Sequence, residues 1–177
     1  GGDQLVFAQD YFNELVAHVQ RNKPTIVGHF DVLTKFSVID EQNPAYRRMA
    51  LEALEKVVAV TPVVEINTGA ISRKWREIPY PADFILRGLR EMGGKIILGA
   101  DTHAADTIDC AFPLAVEIAK QAGFDTLLTS NNHSYDTGSA GFYRTGEVLS
   151  LKGIDYIGTH FGNAKNYKVV DIEGVKI

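Results

Sequence analysis

An α/β fold, built from alternating strand-helix units around a mostly parallel sheet, is predicted by three features of the sequence. Segments with apolar positions at helical spacing alternate with short, near-continuous apolar runs along nearly the whole chain. Such runs suit strands buried on both faces, as in parallel sheets covered by helices. Four of the runs also end on polar groups, at the level where parallel α/β folds assemble their sites.

The elements follow in order. In QDYFNELVAHVQRN, Phe12, Leu15, Val16 and Val19 recur at helical spacing, and Pro24 closes the helix. TIVGHF follows as a short buried strand. NPAYRRMALEALEKVVA opens on an Asn-Pro helix start and carries Met49, Ala53, Leu54 and Val57 on one face. VVEINTG reads as a second strand ending at Gly69, and YPADFILRGLREMGG as a helix stopped by Gly93-Gly94. KIILGAD is a third strand and PLAVEIAKQAGF a helix ending at Gly123. DTLLTS, SAGFYRTGEVLSLKG and DYIGTH supply a fourth strand, a helix and a fifth strand. The tail YKVVDIEGVKI reads as a hairpin turning at Glu173-Gly174. No low-complexity segment, linker or sequence repeat interrupts the pattern.

Composition excludes several function classes. The 177 residues are 45% hydrophobic and 23% charged, as in a globular domain with a core. A net charge of -4 without a Lys/Arg-rich face argues against a nucleic-acid partner. No apolar run approaches the roughly 20 residues of a membrane helix, and no signal sequence opens the chain. The single cysteine, Cys110, excludes a disulfide framework and fits a reducing, cytoplasmic compartment; as a residue it reads as a small buried side chain. Gly1-Gly2 reads as a cloning or cleavage remnant, or as a cut through a longer protein.

Four strand ends share one pattern, two polar groups at positions i and i+2, which point to the same face of an extended strand. They are His29 with Asp31, Glu65 with Asn67, Asp101 with His103, and Asn131 with His133. Carboxylate and imidazole together suit Zn, Fe or Mn, so the repeated pairs point to a divalent metal site. The bland readings stand beside it: a strand-end histidine is often a hydrogen-bonded loop residue, Glu65 could cap a loop, and Asn67-Thr68-Gly69 is a good turn by itself. His18 and His160 read as structural. Arg73, Lys74 and Arg76 form a basic cluster just past Glu65 and Asn67. That run is either a solvated face or a phosphate clamp, since arginine grips phosphate through paired hydrogen bonds. Trp75 can wall the pocket and Lys35 can add a positive charge.

VGHFDVLTKF, VEINTGAISRKWREIPYP and ILGADTHAADTIDCAF together resemble the histidinol-phosphatase branch of the PHP (polymerase and histidinol phosphatase) family, over about residues 3–124. That resemblance implies a part of a distorted (β/α)7 barrel with a multinuclear metal centre at the strands' carboxyl ends. It implies His29, Asp101 and His103 as metal ligands, and Arg73, with Lys35, on the substrate phosphate. The family's early His-x-His motif is absent, so the chain carries the C-terminal part of such a barrel. The tail, residues 125–177, is similar to the CapA-type branch (poly-gamma-glutamate capsule synthesis) of calcineurin-like metallophosphatases, whose Asn-Asn-His-x-x-Asp-x-Gly motif it matches at Asn131 to Gly138. That similarity implies Asn132 as a metal ligand and His133 as a phosphate contact, within a segment that completes the same sheet. Two resemblances in one chain suggest recombination, whether by natural fusion, laboratory chimera or design.

The function these resemblances imply is metal-dependent hydrolysis of a small phosphate monoester of the histidinol-phosphate type. Asp101, His103 and Arg73 would form its catalytic core, and Asp101 would act as ligand rather than general base. The rivals are a non-catalytic scaffold that keeps only some ligands, and a fragment of a capsule-synthesis metallophosphatase. An incomplete barrel exposes strand edges, so a second copy of the chain is an expected partner.

Overall fold

A computed structural model of the chain describes residues 2–35, 39–101, 107, 109–129, 138–159, 162, 167, 169, 171–172 and 175–176. Helix and strand alternate as the sequence predicts: α1 (Gly2–Asn22), α2 (Pro44–Val58), β1 (Val63–Asn67), the short α3 (Gly69–Ser72), α4 (Asp83–Glu91), β2 (Lys95–Gly99), α5 (Phe112–Gln121), β3 (Thr126–Leu128), α6 (Gly138–Leu151) and β4 (Asp155–Ile157). The chain closes with the antiparallel pair β5 (Asp171–Ile172) and β6 (Val175–Lys176), joined by Asp171↔Lys176 and Ile172↔Val175. This is the expected terminal hairpin; its turn, Glu173-Gly174, lies outside the described residues.

Strands β1 to β4 form one parallel sheet in chain order. Val27 extends the same order at the near edge through a parallel bridge to Val64, with Val27 N–H donating to the Val63 carbonyl at 2.9 Å. Sequential order without a reversal is the winding of a (β/α) barrel rather than of a doubly wound sheet. The sheet crosses residue 124: β3 lies between β2 and β4.

One expected strand is shorter than its apolar run. TIVGHF contributes a single bridge at Val27, because His29 adopts a left-handed φ of 52° that turns the chain out of the sheet. A 3-10 turn, Val32–Thr34, follows at once. Asp31 and His29 therefore do not share a strand face, and the i, i+2 reading of that pair is corrected. Asp31 is fully buried, and its Oδ2 accepts the Ala82 N–H at 2.9 Å, ahead of α4.

The core lies between the sheet and the helices. Phe12 and Val19 of α1, Tyr46, Leu54 and Val57 of α2, Ile85, Leu86 and Leu89 of α4, and Val116 of α5 form one cluster with Val64, Ile66 and Ile96. In β1 this leaves Glu65 and Asn67 on the opposite pleat from Val64 and Ile66. α2 begins as its sequence predicts, with Pro44 at the first position and the Asn43 side chain accepting the Ala45 N–H at 2.9 Å. Among the described residues no helix is long and apolar enough to cross a membrane.

Candidate functional site

The carboxyl ends of β1, β2 and the Val27 segment open into a cavity of about 340 Å³, whose walls include His29, Lys35, Asn67, Arg73, Trp75 and Asp101. Each residue arrives by a local backbone device. His29 sits two positions past Val27 on its positive φ, and Asp101 two past the end of β2 on a φ of 44°. Asp101 is thus beyond its strand, so strand alternation does not place it. Asn67 ends β1; its Oδ1 accepts the Gly69 N–H at 2.9 Å and shapes the turn into α3. Arg73 follows α3 immediately.

Arg73 grips Asp101 at two points. Its Nη1 lies 2.9 Å from Asp101 Oδ2, and its Nη2 donates to the Asp101 carbonyl at 2.7 Å. His29 stands between two carboxylates: Nδ1 is 4.0 Å from Glu65 Oε2, and Nε2 is 4.0 Å from Asp101 Oδ2. The Glu65 carboxylate rests where two side chains are missing. A Cβ on Gly99 would come within 2.0 Å of Glu65 Oε1, and one on Gly28 within 3.0 Å of Oε2. A side chain at position 99 would therefore displace the Glu65 carboxylate from this place, whereas at position 28 it would only crowd it.

Two ligands of one ion, each about 2.1 Å from it, stand at most about 4.2 Å apart. His29 Nε2 and Asp101 Oδ2, 4.0 Å apart, lie within that limit but wider than the roughly 3.4 Å of two tetrahedral ligands. Glu65 does not join them, since it faces the opposite nitrogen of the ring. It stands on the Nδ1 side of the ring, at 4.0 Å too far for a hydrogen bond. Buried His29 Nδ1 and Asn67 Nδ2 have no hydrogen-bond partner among the described residues. Among the described residues no three His, Cys, Asp or Glu groups close on one point. His103, Asn131, Asn132 and His133 lie outside the described residues.

Behind the cavity a polar cluster holds the walls together. Arg76 pairs with Glu41 at 2.7 Å and donates to the Thr34 hydroxyl. Asp31 lies beside them, its Oδ1 without a hydrogen-bond partner among the described residues, and burial pushes its carboxyl up to about 7 against the opposing pull of the Ala82 N–H and Arg76. Burial also raises the phenols of Tyr11, Tyr46 and Tyr80, with Asp31 adding to each. The basic run 73–76 thus divides: Arg73 faces the cavity, whereas Arg76 is structural. The sequence carries no sign of that division, because both arginines sit in one loop and their partners come from distant segments.

Two comparisons with known proteins bear on this site. The family described as bacterial capsule synthesis protein PGA_cap matches residues 100–177. That match starts one position past β2, ahead of the tail expected from the Asn-Asn-His stretch, and takes in Asp101 and His103. A probable histidinol-phosphatase of Schizosaccharomyces pombe is 25% identical over 123 residues, 67% of this chain. The chain spans 40% of the length of that curated relative. The chain is therefore similar to both groups of proteins that its motifs resemble.

Proposed function

We propose that this chain carries part of a metal-dependent phosphoesterase site, one that hydrolyses a small phosphate monoester of the histidinol-phosphate type. The observation that supports this reading is the convergence of His29, Asp101, Arg73 and Lys35 on one cavity at the carboxyl ends of parallel strands. A divalent Zn, Fe or Mn ion on His29 and Asp101, with His103 as the further ligand, would supply a water of lowered pKa and offset phosphoryl charge. Arg73 would bind two phosphoryl oxygens with its parallel N–H groups, in exchange for its contacts to Asp101. Lys35 adds a second cation, Glu65 stands beside the His29 ring, and Trp75 walls the cavity. In the tail, Asn132 and His133 are further candidates for metal and phosphate, supported by the family match over residues 100–177. A cytoplasmic setting agrees with a single, unpaired Cys110. A second copy of the chain is the proposed partner, its mass in solution to be read against 19.5 kDa.

One observation favours a second reading, a folded but non-catalytic chain. Arg73 already neutralises Asp101, and the described residues hold two metal-facing groups rather than three. Metal analysis of the purified protein, followed by assays with histidinol phosphate and p-nitrophenyl phosphate, separates the two. Bound ions with turnover support the esterase, and a folded, metal-free, inactive chain supports the scaffold. In an active protein Arg73→Ala is expected to lower kcat/KM by about a hundredfold, the loss usual for one well-placed charged donor. A His103→Ala variant that binds metal and turns over like the parent would remove His103 from the site.

A further inference from the structure

The loop after α3 places an aromatic ring against two cations. Lys74 takes a left-handed φ of 57°, which reverses the chain so that Trp75 and Arg76 both donate their N–H to the Ala70 carbonyl, at 2.9 and 3.4 Å. The indole is left 42% exposed at the cavity. Lys35 Nζ lies 3.7 Å from its ring centroid and Arg73 Cζ 5.1 Å from it, both within cation–π reach. Lys35 follows the 3-10 turn Val32–Thr34, so this contact joins two loops far apart in sequence. A lysine on a four-carbon stem otherwise spreads its charge over many rotamers, and a fixed π face narrows that spread.

We infer that Trp75 is a positioning residue for anion binding: its ring gathers Lys35 and Arg73 so that both cations meet an entering phosphoryl group together. This rests on the reading of the cavity as a phosphate site. Lys35 leaves the ring face for the anion, and the indole environment changes with it. Trp75 is the single tryptophan of the chain, so its emission reports this one place.

The test titrates the parent, Lys35→Met, Trp75→Leu and Trp75→Phe proteins with inorganic phosphate, by calorimetry and, where Trp75 is present, by fluorescence. The parent is expected to show a saturable emission change. Lys35→Met should lose that change and bind about tenfold more weakly. Trp75→Leu should bind about fivefold to tenfold more weakly, and Trp75→Phe, which keeps a π face, should recover most of that loss. Equal affinity of the parent and Trp75→Leu, or equal weakness of the Leu and Phe variants, overturns the inference while the phosphate site stands. No phosphate binding by the parent removes both. Were Trp75→Leu to misfold, an unchanged emission response in Lys35→Met would by itself overturn the inference.

Discussion

Asp31 shows how far one buried carboxyl can govern the behaviour of the chain. It is fully buried, accepts one backbone hydrogen bond from Ala82, and faces Tyr11, Tyr46, Tyr80, Glu41 and Arg76. The folded state holds its proton up to about pH 7, against 3.8 for an ordinary aspartate. Between those values the folded protein binds more protons than the unfolded one, so stability falls as pH rises through that window. At about 1.4 kcal/mol per pH unit the loss from this group is at most about 4 kcal/mol. Asp31→Asn keeps a carbonyl for the Ala82 N–H and removes the charge. Urea unfolding is expected to show the parent weakening from pH 4 to pH 8, the variant losing this part of the slope, and the variant the more stable at pH 8. A parent whose stability is flat or rising over that interval would contradict the assignment. The same residue marks what a sequence reading reaches. Residue types and strand ends pointed to His29, Glu65, Asp101 and Arg73, which do meet. The pairing of His29 with Asp31 failed because alternation presumes an extended backbone, and the positive φ at His29 ends it there, with His29 at the cavity and Asp31 buried against the Ala82 N–H.

Among the elements, the regular ones follow from local pattern and the connections do not. The α2 start was legible because Asn43-Pro44 is both a cap and a fixed φ. Strands β1 and β2 were legible as apolar runs because both are covered by helices. The loops that build the cavity were not, since tertiary partners hold them. The clearest such partner is Arg76, whose side chain is 9% exposed and reaches Glu41 and Thr34 across more than thirty residues of sequence. It fastens the loop after α3 to the segments around the 3-10 turn and ahead of α2. Breaking one side of a largely buried pair strands the other charge, at a cost of about 3 kcal/mol. Arg76→Met is expected to destabilise by that amount. The double variant with Glu41→Gln should recover part of it, because the stranded carboxylate is then gone. Equal stability of the single and double variants in urea unfolding would mean that the pair is not coupled.

At the scale of the molecule, the sheet is uneven across its width. β1 and β2 pair along their whole length, from Val63↔Lys95 to Asn67↔Gly99. β3 and β4 pair from Thr126↔Asp155 to Leu128↔Ile157, but β2 and β3 share a single register pair, Ile97↔Leu128, among the described residues. This narrow seam falls between the last strand before residue 100 and the first strand after it, where the capsule-synthesis match begins. Local opening follows the weakest set of cooperative contacts. The half built on β3, α6 and β4 is joined to the rest through that seam and through the shared core, to which α5 gives Ala115, Val116 and Ala119 and the half itself gives Phe124, Leu149 and Ile154. Native-state hydrogen exchange is therefore expected to divide the sheet. Amides of β1 and β2 should exchange only with global unfolding, whereas those of β3 and β4 should exchange faster through a smaller opening that leaves α1, α2 and α4 protected. Ala119→Gly, which weakens the α5 bridge by removing a buried methyl and adding backbone freedom, should speed exchange in β3 and β4 and leave β1 nearly unchanged. Uniform protection across the four strands would show that one core binds both parts into a single cooperative unit, whatever the origins of its two halves.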